Sequence, residues 1–204
     1  MNIEYWCKRW RDGETGWHRQ EFNDKLVRFW PELKVDSGET VFVPLCGKSK
    51  DLIWLKEQGM SVIGNEASPE AVAEFEAENG SELPNLKILC QDFFSLAPSD
   101  LAGVSAWYDR AALVALPTQE RAKYFQHLTE IIPPKAKGLL LSFEFLQEES
   151  PGPPYSVGDE ELHALCGEAF NFTLVEREDL SEFPKYQERG LTQAFEAVYF
   201  LQKR

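Results

Sequence analysis

Apolar residues recur along this chain in two rhythms, one helical and one alternating. Tyr5, Trp6 and Trp10 fall close to helical spacing, and Phe22, Leu26 and Phe29 follow at i, i+4 and i+7, which predicts helices over 3–12 and 21–30. A Gly-bearing loop, DGETGWHRQ, separates them. A strand is then predicted at 41–45, a helix at 49–58, a strand at 61–66, and a helix at 69–79 after the start signal Ser68-Pro69. Further strands are predicted at 86–90, 104–109, 138–145, 172–178 and 194–202, with helices at 118–131 and 159–167. Residues 146–158 are the most loop-like stretch. This alternation implies an α/β fold, a parallel sheet with right-handed crossovers and helices on both faces. The gap 179–193 shows no helical pattern, so the last two strands are expected to pair antiparallel at one end of the sheet.

Composition narrows the reading. With 204 residues, 43% of them hydrophobic and 13% aromatic, the chain can bury one substantial core, and one domain over 1–204 is expected. The 21 basic residues against 34 acidic ones leave a net charge of −13, which repels a phosphate backbone or an anionic bilayer, so neither nucleic acid nor membrane is an expected partner. The start, MNIEYWCKRWRDGETGWHR, offers no apolar stretch for a signal peptide, and no run approaches the ~18 apolar residues of a spanning helix. A cytoplasmic protein is expected. Cys7, Cys46, Cys90 and Cys166 form no C-x-x-C pair and read as reduced thiols, mostly buried, rather than as a zinc knuckle or disulfide framework.

Candidate chemistry starts in VFVPLCGKSKDL, residues 41–52. The tripeptide GKS invites a Walker reading, but the first glycine of G-x-x-x-x-G-K-[ST] is missing, because Phe42 stands in its place. No G-x-G-x-x-G is present either. What remains is a strand, a turn at Gly47, a helix, and a second strand ending in Glu66, 19 positions after the glycine (66 − 47). That spacing is the one expected for an acid on ribose hydroxyls. A nucleoside without phosphates fits, S-adenosylmethionine among them; a turn glycine with a solvated strand-end acid is the plainer alternative.

Four blocks then carry a family resemblance: YWCKRWRDGETGWHRQ, VFVPLCGKSKDLIWLKEQGMSVIGNEAS, WYDRAALVALP and GPPYSV. In this order, over residues 5–157, they resemble the thiopurine S-methyltransferase family. The resemblance implies a Rossmann-like class I methyltransferase fold, a seven-stranded mostly parallel sheet with an antiparallel last strand, helices on both faces, and residues 1–37 as an N-terminal helical cap. It also implies S-adenosyl-L-methionine as cofactor, a small-molecule thiol as acceptor, no metal, and a monomer.

By the same resemblance, Trp10 lies near the methionine portion of the cofactor, Leu45 and Gly47 lie against it, Glu66 binds its ribose, and Asp92 and Phe93 contact its adenine. Arg110 falls at the junction of cofactor and acceptor as the catalytic candidate, while Trp17, Tyr155 and Lys185 are placed toward the acceptor. Plainer readings stand beside these. Trp10 fits the core face of a helix, Arg110 fits an ion pair with Asp109, and His18 reads as a loop hydrogen-bonder rather than a base, since nothing nearby in sequence orients it. Lys48 and Lys50 read as a solvated helix start, and Pro153 and Pro154 as stiffeners of a loop. The chain departs from the family pattern in the short segment GSELPN before the third strand, and in Lys185, where some members carry an arginine. A related thiol and halide methyltransferase, and a module that binds the cofactor without catalysis, are the alternative functions.

Overall fold

The computed structural model describes residues 2–204. The chain opens with α1 (Ile3–Arg11) and α2 (Asp24–Phe29). The second helix is shorter than its apolar spacing predicts, because the Asn23 side chain accepts from Leu26 N and caps it there. Phe22 is left outside it and exposed, and Pro31 turns the other end into the 3-10 segment Trp30–Leu33. Next come β1 (Thr40–Val43), α3 (Asp51–Glu57), β2 (Ser61–Glu66), α4 (Pro69–Asn79), β3 (Leu86–Cys90), β4 (Val104–Asp109), α5 (Thr118–Ile131) and β5 (Lys137–Phe145). The chain ends with α6 (Asp159–Cys166), β6 (Phe170–Asp179), α7 (Pro184–Gln187) and β7 (Ala194–Lys203). The single turn α7 lies in the gap where no helix is predicted; four residues starting at a proline are too few to show a period.

The seven strands form one sheet in the order β3-β2-β1-β4-β5-β7-β6. Strands β1 to β5 pair parallel, whereas β7 runs antiparallel to both β5 and β6. The reversed strand therefore sits one place in from the edge, and β6 takes the edge itself. Winding reverses between β1 and β4, and the crevice outside their carboxyl ends is where such sheets receive ligands.

Alternation along each strand divides the core between the two faces. From β1, Phe42 joins Trp107, Leu140 and Tyr199 beneath Tyr124, Phe125 and Leu128 of α5 and Leu162 of α6. Val41 and Val43 point the other way, with Tyr108, Leu139 and Val198, toward Leu26 and Phe29 of α2, Leu52 and Leu55 of α3, and Phe75 of α4. Gly138 allows one close approach, because the fully buried Trp107 indole occupies the space a β-carbon there would need. Among the thiols, Cys46 and Cys166 are buried, Cys7 is partly covered and Cys90 is exposed; all four are free. The expectation of mostly buried thiols thus holds for two, since Cys90 ends a strand near the sheet edge. Among the described residues no helix is long and apolar enough to cross a membrane.

Candidate active site

A cavity of about 470 Å³ opens at the carboxyl ends of β1, β2, β4 and β5, within the ~300–1,000 Å³ usual for small-molecule sites. Its walls include Trp10, Trp17, Leu45, Gly47, Glu66, Arg110 and Lys185, so seven of the ten residues singled out from the sequence are brought together. The other three, Asp92, Phe93 and Tyr155, do not line it. Asp92 caps a 3-10 turn through Phe94 N, at 3.1 Å. Phe93 is fully buried and stacked on Tyr124, with ring centroids 4.8 Å apart. The Tyr155 ring lies against Gly152 and its N–H donates to Val114 O, which leaves Pro153 and Pro154 facing the cavity.

At one end stands Glu66, only 7% exposed at the tip of β2. Gly47 N donates to its Oε2 at 2.9 Å and Ser68 N to its Oε1 at 2.7 Å, which fixes the plane of the carboxylate. Burial pushes its pKa above the usual carboxylate range, and the N–H groups of Ser68, Gly47 and Ala67 oppose that shift. The carboxylate, with about four lone-pair sites, keeps acceptor capacity beyond these bonds. Above this acid the chain leaves β1 through two left-handed residues, Leu45 at φ 46° and Gly47 at φ 52°. Leucine in that region costs about 1–3 kcal/mol, strain of the kind that collects at ligand sites. Trp10, the buried residue of α1, lays its indole on Gly47, so it serves both as the packing face of its helix and as cavity wall.

Arg110 follows β4 and is succeeded by Ala111 at φ 63°, a second strained non-glycine residue in the wall. Asp109 does not pair with it. That carboxylate is fully buried, accepting from Tyr124 Oη at 2.7 Å and Leu113 N at 3.1 Å, and burial raises its pKa from 3.8 to about 6. Arg110 is thereby left to the cavity.

Much of the remaining lining is aromatic and cationic. Trp17 stands edge-to-face with Trp6 and Trp10, at 5.2 and 5.7 Å between centroids, and the Arg9 guanidinium lies 4.9 Å over its ring. Arg19, Arg110, Lys185 and Arg189 reach this region, while Lys48 is tied to Glu74 and Glu78 at 2.8 and 2.7 Å. Opposing these cations is Glu196 of β7, whose carboxyl burial pushes up and nearby Arg19 draws back. Sequence reasoning missed Glu196, Arg189, Arg19 and Ser142. Glu196 reaches the site only because β7 inserts beside β5, pairing Glu196 with Phe143, a register that local periodicity does not encode.

The residues present fit S-adenosylmethionine. A buried carboxylate oriented by backbone N–H groups has the acceptor chemistry that a ribose diol requires, and the aromatic walls suit a sulfonium cation. Comparison with known proteins points the same way. The family model for thiopurine S-methyltransferase matches residues 1–204. Relatives named thiopurine S-methyltransferase include one from Nitrosospira multiformis, 44% identical over 100% of this chain and 99% of the relative, and one from Bordetella petrii, 39% identical over 100% of both. Among solved structures, the fold is similar to that of Burkholderia thailandensis 1,6-didemethyltoxoflavin-N1-methyltransferase, with a TM-score of 0.68 at 18% identity over 98% of this chain and 86% of that one. It is also similar to a structure solved in work on the conversion of a disulfide bond into a thioacetal group during echinomycin biosynthesis, with a TM-score of 0.76 at 13% identity, covering 100% of this chain and 92% of that one. With the fold, the strand-tip acid and a full-length family match in agreement, the chain belongs to the thiopurine S-methyltransferase family and is an S-adenosylmethionine-dependent methyltransferase.

Proposed function

We propose that this methyltransferase acts on soft small-molecule nucleophiles, a thiopurine or aryl thiol, with reduced selenium or tellurium species as further acceptors. The observation that carries the reading is one cavity lined both by the buried acid Glu66 and by the aromatic and cationic side chains of Trp17, Arg110 and Lys185. Bound there, S-adenosylmethionine supplies a methyl group already activated by its sulfonium charge. The protein's part is then to align the acceptor and to favour its ionised form. Glu66 holds the ribose, Leu45 and Gly47 let the ligand approach the backbone, and Trp10 covers the methionine portion. Asp92 and Phe93, just beyond β3 and next to the Glu66 strand, are assigned to the adenine end. Trp17 supplies a flat apolar wall for a heteroaromatic ring. Arg110 stabilises the anionic sulfur, Lys185 adds charge without the guanidinium fork, and Tyr155 holds the Pro153-Pro154 turn against the acceptor.

In this reading residues 1–37 act as a cap over the site in one domain spanning 1–204, and the enzyme works as a cytoplasmic monomer. The net charge of −13 argues against a nucleic-acid or anionic-membrane partner. Initial rates with S-adenosylmethionine on a panel of 6-mercaptopurine, substituted thiophenols, selenide, telluride, iodide and hydrogen sulfide test the proposal. Turnover of the organic thiols supports it. Turnover restricted to iodide and hydrogen sulfide, or retained cofactor binding without any methyl transfer, overturns it.

A further inference from the structure

Glu196 of β7 lines the cavity half-buried, and among the described residues nothing donates a hydrogen bond to its carboxylate or forms an ion pair with it. Both carboxylate oxygens keep accessible surface. Arg19 and Arg110 lie near enough to favour its charge but beyond ion-pair reach, and Lys25, the third cation near it, is taken by Glu176 and Glu178. Asp24 opposes them. Burial disfavours the charged form, so the carboxylate stands as a desolvated acceptor without a donor. Beside it is a flat apolar wall. Glu196 pairs directly with Phe143 across β5 and β7, which sends both side chains to one sheet face, and the Tyr186 ring lies 5.3 Å from that of Phe143 at 31°. Leu141, Phe143 and Tyr186 all line the cavity.

A ring lying on that wall turns its edge toward Glu196. An ionised carboxylate only accepts hydrogen bonds, so the group facing it is a donor. A cationic donor is disfavoured, because Arg19, Arg110, Lys185 and Arg189 line the same cavity. A neutral N–H or O–H remains, and the N–H of a thione is the one built into the reacting group itself. We propose that Glu196 accepts a hydrogen bond from a ring N–H of the methyl acceptor and so selects cyclic thioamides, heteroaromatic rings in their N–H thione form, over plain aryl thiols. This inference rests on the soft-nucleophile reading above and narrows it. In such a ring the N–H neighbours the carbon that bears sulfur. One small planar group therefore sets its N–H on Glu196 and its sulfur toward Arg110, two side chains that interact through space without pairing. The hydrogen bond pushes electron density from nitrogen through the shared carbon onto sulfur, the atom to be methylated. Glu196 takes no proton in doing so and need not be a strong base. A plain aryl thiol leaves the carboxylate without its donor, which is how a polar site rejects an analogue lacking the matching group.

The test uses three acceptors of similar shape: pyridine-2-thione, its N-methyl derivative, which lacks the N–H, and thiophenol, which lacks the nitrogen. Wild type is compared with Glu196→Leu, which removes the acceptor oxygens, and Glu196→Gln, which keeps one without the charge. The kcat/KM ratio of pyridine-2-thione to each of the other two is expected to fall about ten- to a hundredfold in Glu196→Leu and by less in Glu196→Gln. Unchanged ratios, with or without a uniform loss of rate, overturn the proposal and leave Glu196 as a counter-charge for the arginines. Calorimetry needs no turnover: in the S-adenosylhomocysteine complex, wild type is expected to bind pyridine-2-thione more tightly than the other two, and Glu196→Leu to lose that preference. Weaker binding of S-adenosylhomocysteine itself in Glu196→Leu assigns the carboxylate to the cofactor's ammonium group and also overturns the proposal. If wild type methylates none of the three, the soft-nucleophile reading fails by itself, and the calorimetric preference still decides Glu196.

Discussion

The Trp10 indole rests on Gly47 so closely that a β-carbon on residue 47 would come within 2.9 Å of its Cζ2. One aromatic contact thus couples the N-terminal helix to the turn after β1, where Gly47 N also orients Glu66. Helix, turn and acid form one mechanical unit.

Gly47→Ala tests that unit. A side chain at φ 52° is strained by about 1–2 kcal/mol, and the collision with Trp10 adds about 1–3 kcal/mol. Trp10→Ala removes only the second cost. Chemical denaturation of the two single variants and the double variant is expected to show the double less destabilised than the sum, by about 1 kcal/mol or more. Strict additivity would mean that the ring does not press on the turn.

Glu66→Gln is expected to weaken both binding and stability. Both carboxylate oxygens accept from backbone N–H groups, so the glutamine amide must turn its NH2 toward either Gly47 N or Ser68 N, a donor facing a donor. One unsatisfied buried pair costs about 1–3 kcal/mol. Loss of a charge-assisted bond to the ribose lowers S-adenosylmethionine affinity by about ten- to a hundredfold. Calorimetric titration with parallel melts checks both effects, and wild-type affinity in the variant would leave Glu66 as a structural cap for the turn.

How much of this site the sequence exposes depends on how local each signal is. The strands β2, β3 and β4 and the helices α4 and α5 match their predicted bounds, because each carries its own period or a start signal such as Ser68-Pro69. Glu66 is readable because its distance from Gly47 is set by one βαβ unit. Helix 21–30 is overextended because Phe22 continues the i, i+4, i+7 pattern, while the Asn23 cap that ends it is a side-chain hydrogen bond and not a hydrophobic period. Glu196 is hidden for a different reason. Its significance lies in what faces it, Arg19 from the segment after α1 and Arg110 from the end of β4, brought beside β7 by a strand order that no local pattern states.

Arg110→Lys should separate turnover from cofactor binding. The guanidinium makes no ion pair with Asp109, which is engaged by Tyr124 and Leu113, so its fork is available to an acceptor anion. Lysine keeps the charge and loses that planar fork. Initial rates are expected to show kcat on aryl thiols down about tenfold or more while S-adenosylmethionine affinity is nearly kept. Equal losses in both quantities would place Arg110 on the cofactor instead.

Asp109 provides a pH signature beneath the site. Its pKa is raised from 3.8 to about 6, with burial as the largest cause, and Tyr124 and the N–H groups of Leu113 and Ala112 only partly compensate. A folded-state pKa above the unfolded value means that the folded protein holds the proton more tightly. The resulting stabilisation is fully present below pH 3.8 and is lost as pH rises through about 6. A shift of about two units corresponds to about 3 kcal/mol across that window. Asp109→Asn carries no titrating group, so its stability relative to wild type should climb by about that amount between pH 4 and pH 7. Its absolute stability carries a constant offset, because the Tyr124 hydroxyl loses a charged acceptor. Subtracting the two pH profiles cancels the contributions of Glu66, Glu196 and the surface ion pairs, which are common to both proteins. Denaturant titrations at several pH values give the difference directly. Parallel profiles would show that Asp109 titrates in the folded protein as it does in the unfolded chain, and that the hydrogen bonds from Tyr124 and Leu113 fully offset its burial.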